Sequence, residues 1–116
     1  LEGVSVSFGK LNGFAQIIKR TISKDSAGFK VENDAIIANV RCYHEQRHSS
    51  YRWANLAAFS EATDRFVIRA KSASNVEPGF YIYYKNVWYK ILSVEDVKER
   101  GMYLEMYAER AVSVLG

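Results

Sequence analysis

The sequence predicts an all-β domain: a small antiparallel barrel or sandwich of about six strands, with a long loop, roomy enough for a short helix, between the second and third strands. Three observations carry this. Short runs of alternating apolar and polar residues recur, separated by polar or Gly-containing breaks. There is a single proline, Pro78, and no repeat or low-complexity tract, so nothing marks an internal linker. The stretch Gly79 to Val94, GFYIYYKNVWYKILSV, places six aromatics in sixteen positions around a turn-like Lys85-Asn86 pair.

In chain order, Phe14 to Ile22 is apolar enough for a first strand, although it alternates poorly, and Asp25-Ser26-Ala27-Gly28 reads as the turn that ends it. The second strand sets Ile36, Ala38, Val40 and Cys42 on one side against Ile37, Asn39, Arg41 and Tyr43 on the other. The third sets Phe66, Ile68 and Ala70 against Arg65, Val67 and Arg69. Each of these two strands is expected to have one wetter face. Between them, residues 44–64 are long for a hairpin connection, and Ser50 to Phe59 could wind into a short helix capped by Ser49 or Ser50. The last strand alternates Met102, Leu104, Met106 and Ala108 with Tyr103, Glu105, Tyr107 and Glu109, after a turn at residues 98–101.

The aromatic stretch gives the firmest register. A two-residue loop at Lys85-Asn86 needs φ > 0, which Asn tolerates, and it sets Tyr84 opposite Val87, Ile82 opposite Tyr89 and Phe80 opposite Ile91. Alternation puts these six on one face, predicted to be core. The reverse face carries Tyr81 opposite Lys90 and Tyr83 opposite Trp88. It is aromatic yet charged, as suits a surface that a neighbouring subunit covers.

Composition narrows the function. The 116 residues fit one domain, 1–116, and 48% hydrophobic residues with 14% aromatics can fill a core. The single cysteine, Cys42, makes no disulfide within the chain and no CxxC motif. It reads as a small buried hydrophobe. No apolar run approaches the roughly 18 residues of a membrane span, and a basic–apolar–small secretory pattern is missing from the N-terminus, so no membrane partner is expected. A net charge of +3 permits nucleic-acid contact without requiring it.

Chemistry-bearing patterns are sparse. Cys42, His44 and His48 are the only soft-ligand cluster, lack a fourth ligand and are spaced poorly for a tetrahedral site, so neither a metal nor another cofactor is expected. GxSxG, phosphate-binding Gly-rich loops and HExxH do not occur, and the carboxylates fall in turns or on solvent-facing strand positions; catalysis is not expected. The most basic segment, with Arg41, His44, Arg47, His48 and Arg52, lies on and beside the long loop that also holds Trp53. A solvated loop and a loop facing phosphate or a subunit both fit it.

The order AIIANVRCYHEQ, a variable loop, DRFVIRAKS, then EPGFYIYYKNVWYKILSVEDVKERGMYLEMYAE resembles the phage head-tail joining proteins, also called head completion or stopper proteins. GFAQIIKR and SKDSAGFK match that family's first strand and turn, so the likeness covers nearly the whole chain. The resemblance implies a structural connector in the neck of a tailed bacteriophage, made in the bacterial host cytoplasm and, in some cases, encoded by a prophage. It implies a homo-oligomeric ring of about twelve copies, built by repeating one heterologous contact, between a portal-side adaptor and a tail protein. Double-stranded DNA passes through such a ring, and the connector helps retain it. On this likeness the long loop, with Arg41, His44, Arg47, His48, Arg52 and Trp53, projects toward the channel or an adjoining subunit. Tyr81, Tyr83 and Trp88 become candidates for subunit packing. The alternative is a single-stranded nucleic-acid-binding barrel of OB type, in which the same aromatics stack bases and Arg41, Arg47 and Arg52 meet phosphates.

Overall fold

A computed structural model describes residues 11–46, 61–73, 75–97 and 101–111. Six strands form: β1 (Gly13–Lys24), β2 (Lys30–Gln46), β3 (Asp64–Arg69), β4 (Tyr81–Tyr84), β5 (Val87–Asp96) and β6 (Tyr103–Arg110). One 3-10 turn follows β3 at Ala70–Ser72. All pairings are antiparallel, and the sheet closes on itself in the order β1-β2-β3-β6-β5-β4.

The aromatic hairpin has the register the sequence dictates. Lys85 and Asn86 take φ of 50° and 67°, the left-handed pair of a two-residue loop whose twist matches its strands. Tyr84 pairs with Val87, Ile82 with Tyr89, Tyr83 with Trp88 and Tyr81 with Lys90. The ladder runs on past β4, where the Ile91 amide donates to the Phe80 carbonyl at 2.8 Å. Ile82, Tyr84, Tyr89 and Ile91 are buried, Phe80 and Val87 pack against them, and Lys90 is exposed. Their neighbours in the barrel interior are Ile17, Val40, Cys42, Phe66, Ile68 and Met106.

Three expectations are corrected. Ile36 was placed on the inner face of the second strand, but it is 55% exposed. Ile17 pairs with Ala38 and Ile18 with Ile36, so Ile37 is an extra residue on β2. This bulge lets Ile37 and Ala38 both pack on the core and turns Ile36 outward. The third strand has no wetter face over most of its length: Arg65 is 2% exposed and Val67 fully buried, and only Arg69 is open. On the neighbouring β6, Tyr107 is buried with Ala62 and Leu92 in a second, smaller cluster. The long connection is also shorter than 44–64, because β2 runs to Gln46 and β3 begins at Asp64. Arg41 and His44 are therefore strand residues, while Arg47, His48, Arg52, Trp53 and the expected short helix lie outside the described residues.

One feature of the shape was not foreseen. β1 meets β4 only through Gln16, Ile17 and Ile18, and β2 meets β3 only from Cys42 to Gln46. Among the described residues, Lys19–Lys24 and Lys30–Ala35 pair solely with each other, as a two-stranded arm about 20 Å long at the usual rise per strand residue. The arm turns at Asp25, whose carboxylate accepts from the Ala27 and Phe29 amides, with Gly28 at φ 88°. The 56 Å long axis of a molecule only 30 × 24 Å across fits this projection.

Candidate functional site

The outer side of β2, β1, β4 and β5 gathers most of the exposed apolar and aromatic side chains. Alternation puts Phe14, Gln16, Arg20 and Ile22 of β1 on the outer side, beside Tyr81 and Tyr83 of β4 and Trp88 of β5, while Ile18 between them is only 4% exposed. Trp88 lies 5.0 Å from the Tyr83 ring and 6.1 Å, edge on, from that of Tyr81. The Tyr83 hydroxyl donates to Asn86 Oδ1 at 3.0 Å, which fixes the ring beside the hairpin loop. The three aromatics proposed for subunit packing thus form one half-buried cluster on the surface.

Arg20 links that cluster to the arm. Its guanidinium carbon is 5.1 Å from the Tyr81 ring and 5.3 Å from the Trp88 ring, within cation–π range. It also donates twice to Asp34 directly across the ladder, at 2.7 and 3.0 Å, and lies 3.6 Å from Glu32. The hydrogen bonds from Arg20 hold the Asp34 carboxyl below its ordinary range, and the same bonds raise Arg20. The cation over the rings is therefore already neutralised. Beneath Arg20 lies an aromatic platform whose own cation is balanced by Asp34 and Glu32, with Lys90 exposed opposite Tyr81.

At the other end of this face, Phe14 is exposed and carries the Arg41 guanidinium 4.8 Å above its ring. Phe14, Gln16, Asn39, Arg41, Tyr83 and Lys85 line a surface pocket of about 630 Å³, across which Gln16 Nε2 donates to Asn39 Oδ1 at 3.1 Å. Two cations and no acid line it, so it suits an anionic or carbonyl-rich group. Arg41, a second-strand residue grouped from sequence with the channel loop, lies here with the aromatic face.

His44 sits elsewhere. Its ring packs 4.8 Å from Phe66 and 4.7 Å from Tyr84, and its Nε2 is 2.5 Å from Asp64 Oδ2. Asp64 Oδ1 accepts from the Thr63 hydroxyl, which in turn accepts from the Arg110 amide. This chain of polar contacts joins β2, β3 and the end of β6, a structural role set inside the barrel. Cys42 is 1% exposed, and burial pushes its thiol up to about 11, so it is a poor nucleophile at neutral pH. Among the described residues no three His, Cys, Asp or Glu side chains converge as metal ligands.

Sequence reading missed Phe14, Ile22, Ile36 and Phe29 as surface residues, and missed the arm. The signal for the arm was present in the run Lys19 to Asp34, which is polar on both alternating faces and so has no side to bury.

Two solved structures share the fold. Protein SF1141 from Shigella flexneri 2a, known from its solution structure, superposes with a TM-score of 0.70 at 15% identity, covering 90% of this chain and 96% of its own. A chain of the virion of a native gene transfer agent particle matches with a TM-score of 0.54 at 19% identity, covering 87% of this chain and 96% of its own. No curated protein matches the sequence. The family model for phage head completion protein matches residues 6–111, nearly the entire chain, and the protein belongs to that family of phage head–tail structural proteins.

Proposed function

We propose that the chain acts as one head–tail joining unit in the neck of a tailed phage, where copies form a ring between a portal-side adaptor and a tail protein. Double-stranded DNA passes through the ring, which helps retain the packaged genome. The role is structural, without turnover, and the protein is made in the host cytoplasm before it joins the particle. The observation that carries this reading is the family match over residues 6–111. The outer face supports it physically: Phe14, Ile22 and Ile36 stand exposed around the Tyr81–Tyr83–Trp88 cluster, an apolar and aromatic mixture typical of surfaces that become covered on assembly.

Single-stranded nucleic acid is the second reading. Base-stacking platforms pair their aromatics with free cations that meet phosphates; Arg20, beside Tyr81 and Trp88, is engaged by Asp34 and Glu32, which disfavours that reading, whereas Arg41 and Lys85 at the other end of the face would suit it. Mixing the purified chain with the portal–adaptor complex of its own phage tests the proposal by electron microscopy. A ring of added density on the adaptor is expected. Failure to bind the complex, together with tight single-stranded DNA binding that falls steeply with salt, would replace it with the nucleic-acid reading.

A further inference from the structure

We infer that the pocket beside the hairpin loop is a docking site for an acidic peptide segment of another protein, with a carboxylate held by Arg41 and Lys85 and an apolar side chain laid against Phe14. That the partner is a protein rests on the assembly reading above.

Register builds the site. Phe14 stands across from Arg41 of β2, and Gln16 stands across from both Asn39 of β2 and Tyr83 of β4. Two residues beyond Tyr83, where the chain enters the hairpin loop, Lys85 comes beside Phe14. The result is two rows of three: cation, ring and cation next to amide, amide and phenol. All six line the same pocket. The left-handed conformations of Lys85 and Asn86 fix where both side chains leave the sheet.

Hydrogen bonds inside the pocket decide what it presents. Asn39 Oδ1 accepts from Gln16 Nε2, and Asn86 Oδ1 accepts from the Tyr83 hydroxyl. Each asparagine thus engages its oxygen within the protein and carries its two donor hydrogens on the other side of the amide. Arg41 and Lys85, both exposed, add a guanidinium and an ammonium. Donors grouped in one pocket call for an anion with several lone pairs, and a carboxylate offers two oxygens to a guanidinium fork.

Phe14 distinguishes between carriers of that anion. The ring is exposed, and one of its faces already carries the Arg41 guanidinium. A stacked base would compete with the guanidinium for that face, whereas an aliphatic side chain covers the rest of the ring and leaves the guanidinium to the carboxylate. A phosphate alone would answer the cations and leave Phe14 in water. The volume of about 630 Å³ lies within the usual range of ligand pockets, room enough for a short stretch of peptide.

The test is fluorescence anisotropy with the full chain and a labelled hexapeptide of alternating leucine and glutamate that ends in a free carboxylate. Saturable binding is expected, weakened at least about tenfold by Arg41→Gln or by Lys85→Gln and weakened by added salt. The same peptide with glutamine for glutamate and an amidated end should bind the unmodified chain at least about tenfold more weakly, a control that leaves the protein untouched. Equal binding of the acidic and neutral peptides, or none of either, overturns the site. Tighter binding of a short single-stranded thymidine oligonucleotide, lost in the same two variants, overturns it in favour of nucleic acid. Assembly on the portal–adaptor complex separates the two readings. A chain that assembles but does not bind the acidic peptide removes the pocket and leaves the ring, and one that binds the peptide but does not assemble removes the ring and leaves the pocket.

Discussion

Two arginines, one on the barrel and one on the arm, show how differently one chemistry can be used. Arg65 on β3 is bound by Glu45 at 3.1 Å and Glu105 at 2.5 Å, lies 5.9 Å from the Tyr43 ring and is almost wholly shielded from water. Arg20 on β1 has the same kit, an acid directly across the ladder and aromatic rings beneath it, but Asp34 and Glu32 stand in solvent. Desolvation separates them. A shielded ion network is costly to break, because removing one partner strands the others, whereas an open pair is screened and worth little. The ions around Arg65 are largely shielded by the fold; those around Arg20 stay in contact with water.

Substitutions sharpen this contrast in order of expected size. Arg65→Met leaves Glu45 and Glu105 without their cation and should cost about 3 kcal/mol or more, read as a lowered urea midpoint. Loss of His44 is next: His44→Ala removes the partner of buried Asp64 and opens a gap against Phe66 and Tyr84, for about 1–3 kcal/mol in the same measurement. Trp88→Ala, on the open side, should lower stability by about 1 kcal/mol while reducing assembly on the adaptor far more than His44→Ala does. Arg20→Met should cost between about 0 and 1 kcal/mol. If Arg20→Met proved as damaging as Arg65→Met, the open side would be a sealed one and the comparison would fail.

Acid gives the smallest and most local effect. Asp34 titrates below its unfolded value, so its contribution is present above about pH 4 and disappears as pH falls through the lowered folded value. Amide exchange in residues 19–24 and 30–35 should quicken at pH 3 relative to that in β5, by an amount kept modest by the exposure of the pair.

How much of this was legible from sequence depended on whether one local element decided the outcome. The Lys85-Asn86 loop fixes its own strands, so Ile82, Tyr84, Tyr89 and Ile91 could be assigned to the core and Tyr81, Tyr83 and Trp88 to the outside. The β2 bulge could not be read, because an extra residue at Ile37 shows only against its partner strand. The burial of Arg65 and Val67 was equally hidden, since alternation says which side a residue faces and not what covers that side. His44 looked like a loop residue because its strand continues past the last apolar position, and its real neighbours, Asp64 and Phe66, come from twenty residues away. Of the aromatic face, the hairpin half was foreseen; Phe14 and Arg20 came from a strand whose weak alternation concealed which way they point.

The bulge has a consequence for evolution and for engineering. Ile18 already pairs with Ile36, so excising Ile37 would keep every cross-strand partnership out to Lys24 and Lys30 intact. What would change is the local bend and twist, and with them the direction in which the ribbon leaves the body. The heading of the arm is thus adjustable by a single insertion or deletion, independently of the side chains it carries at its tip.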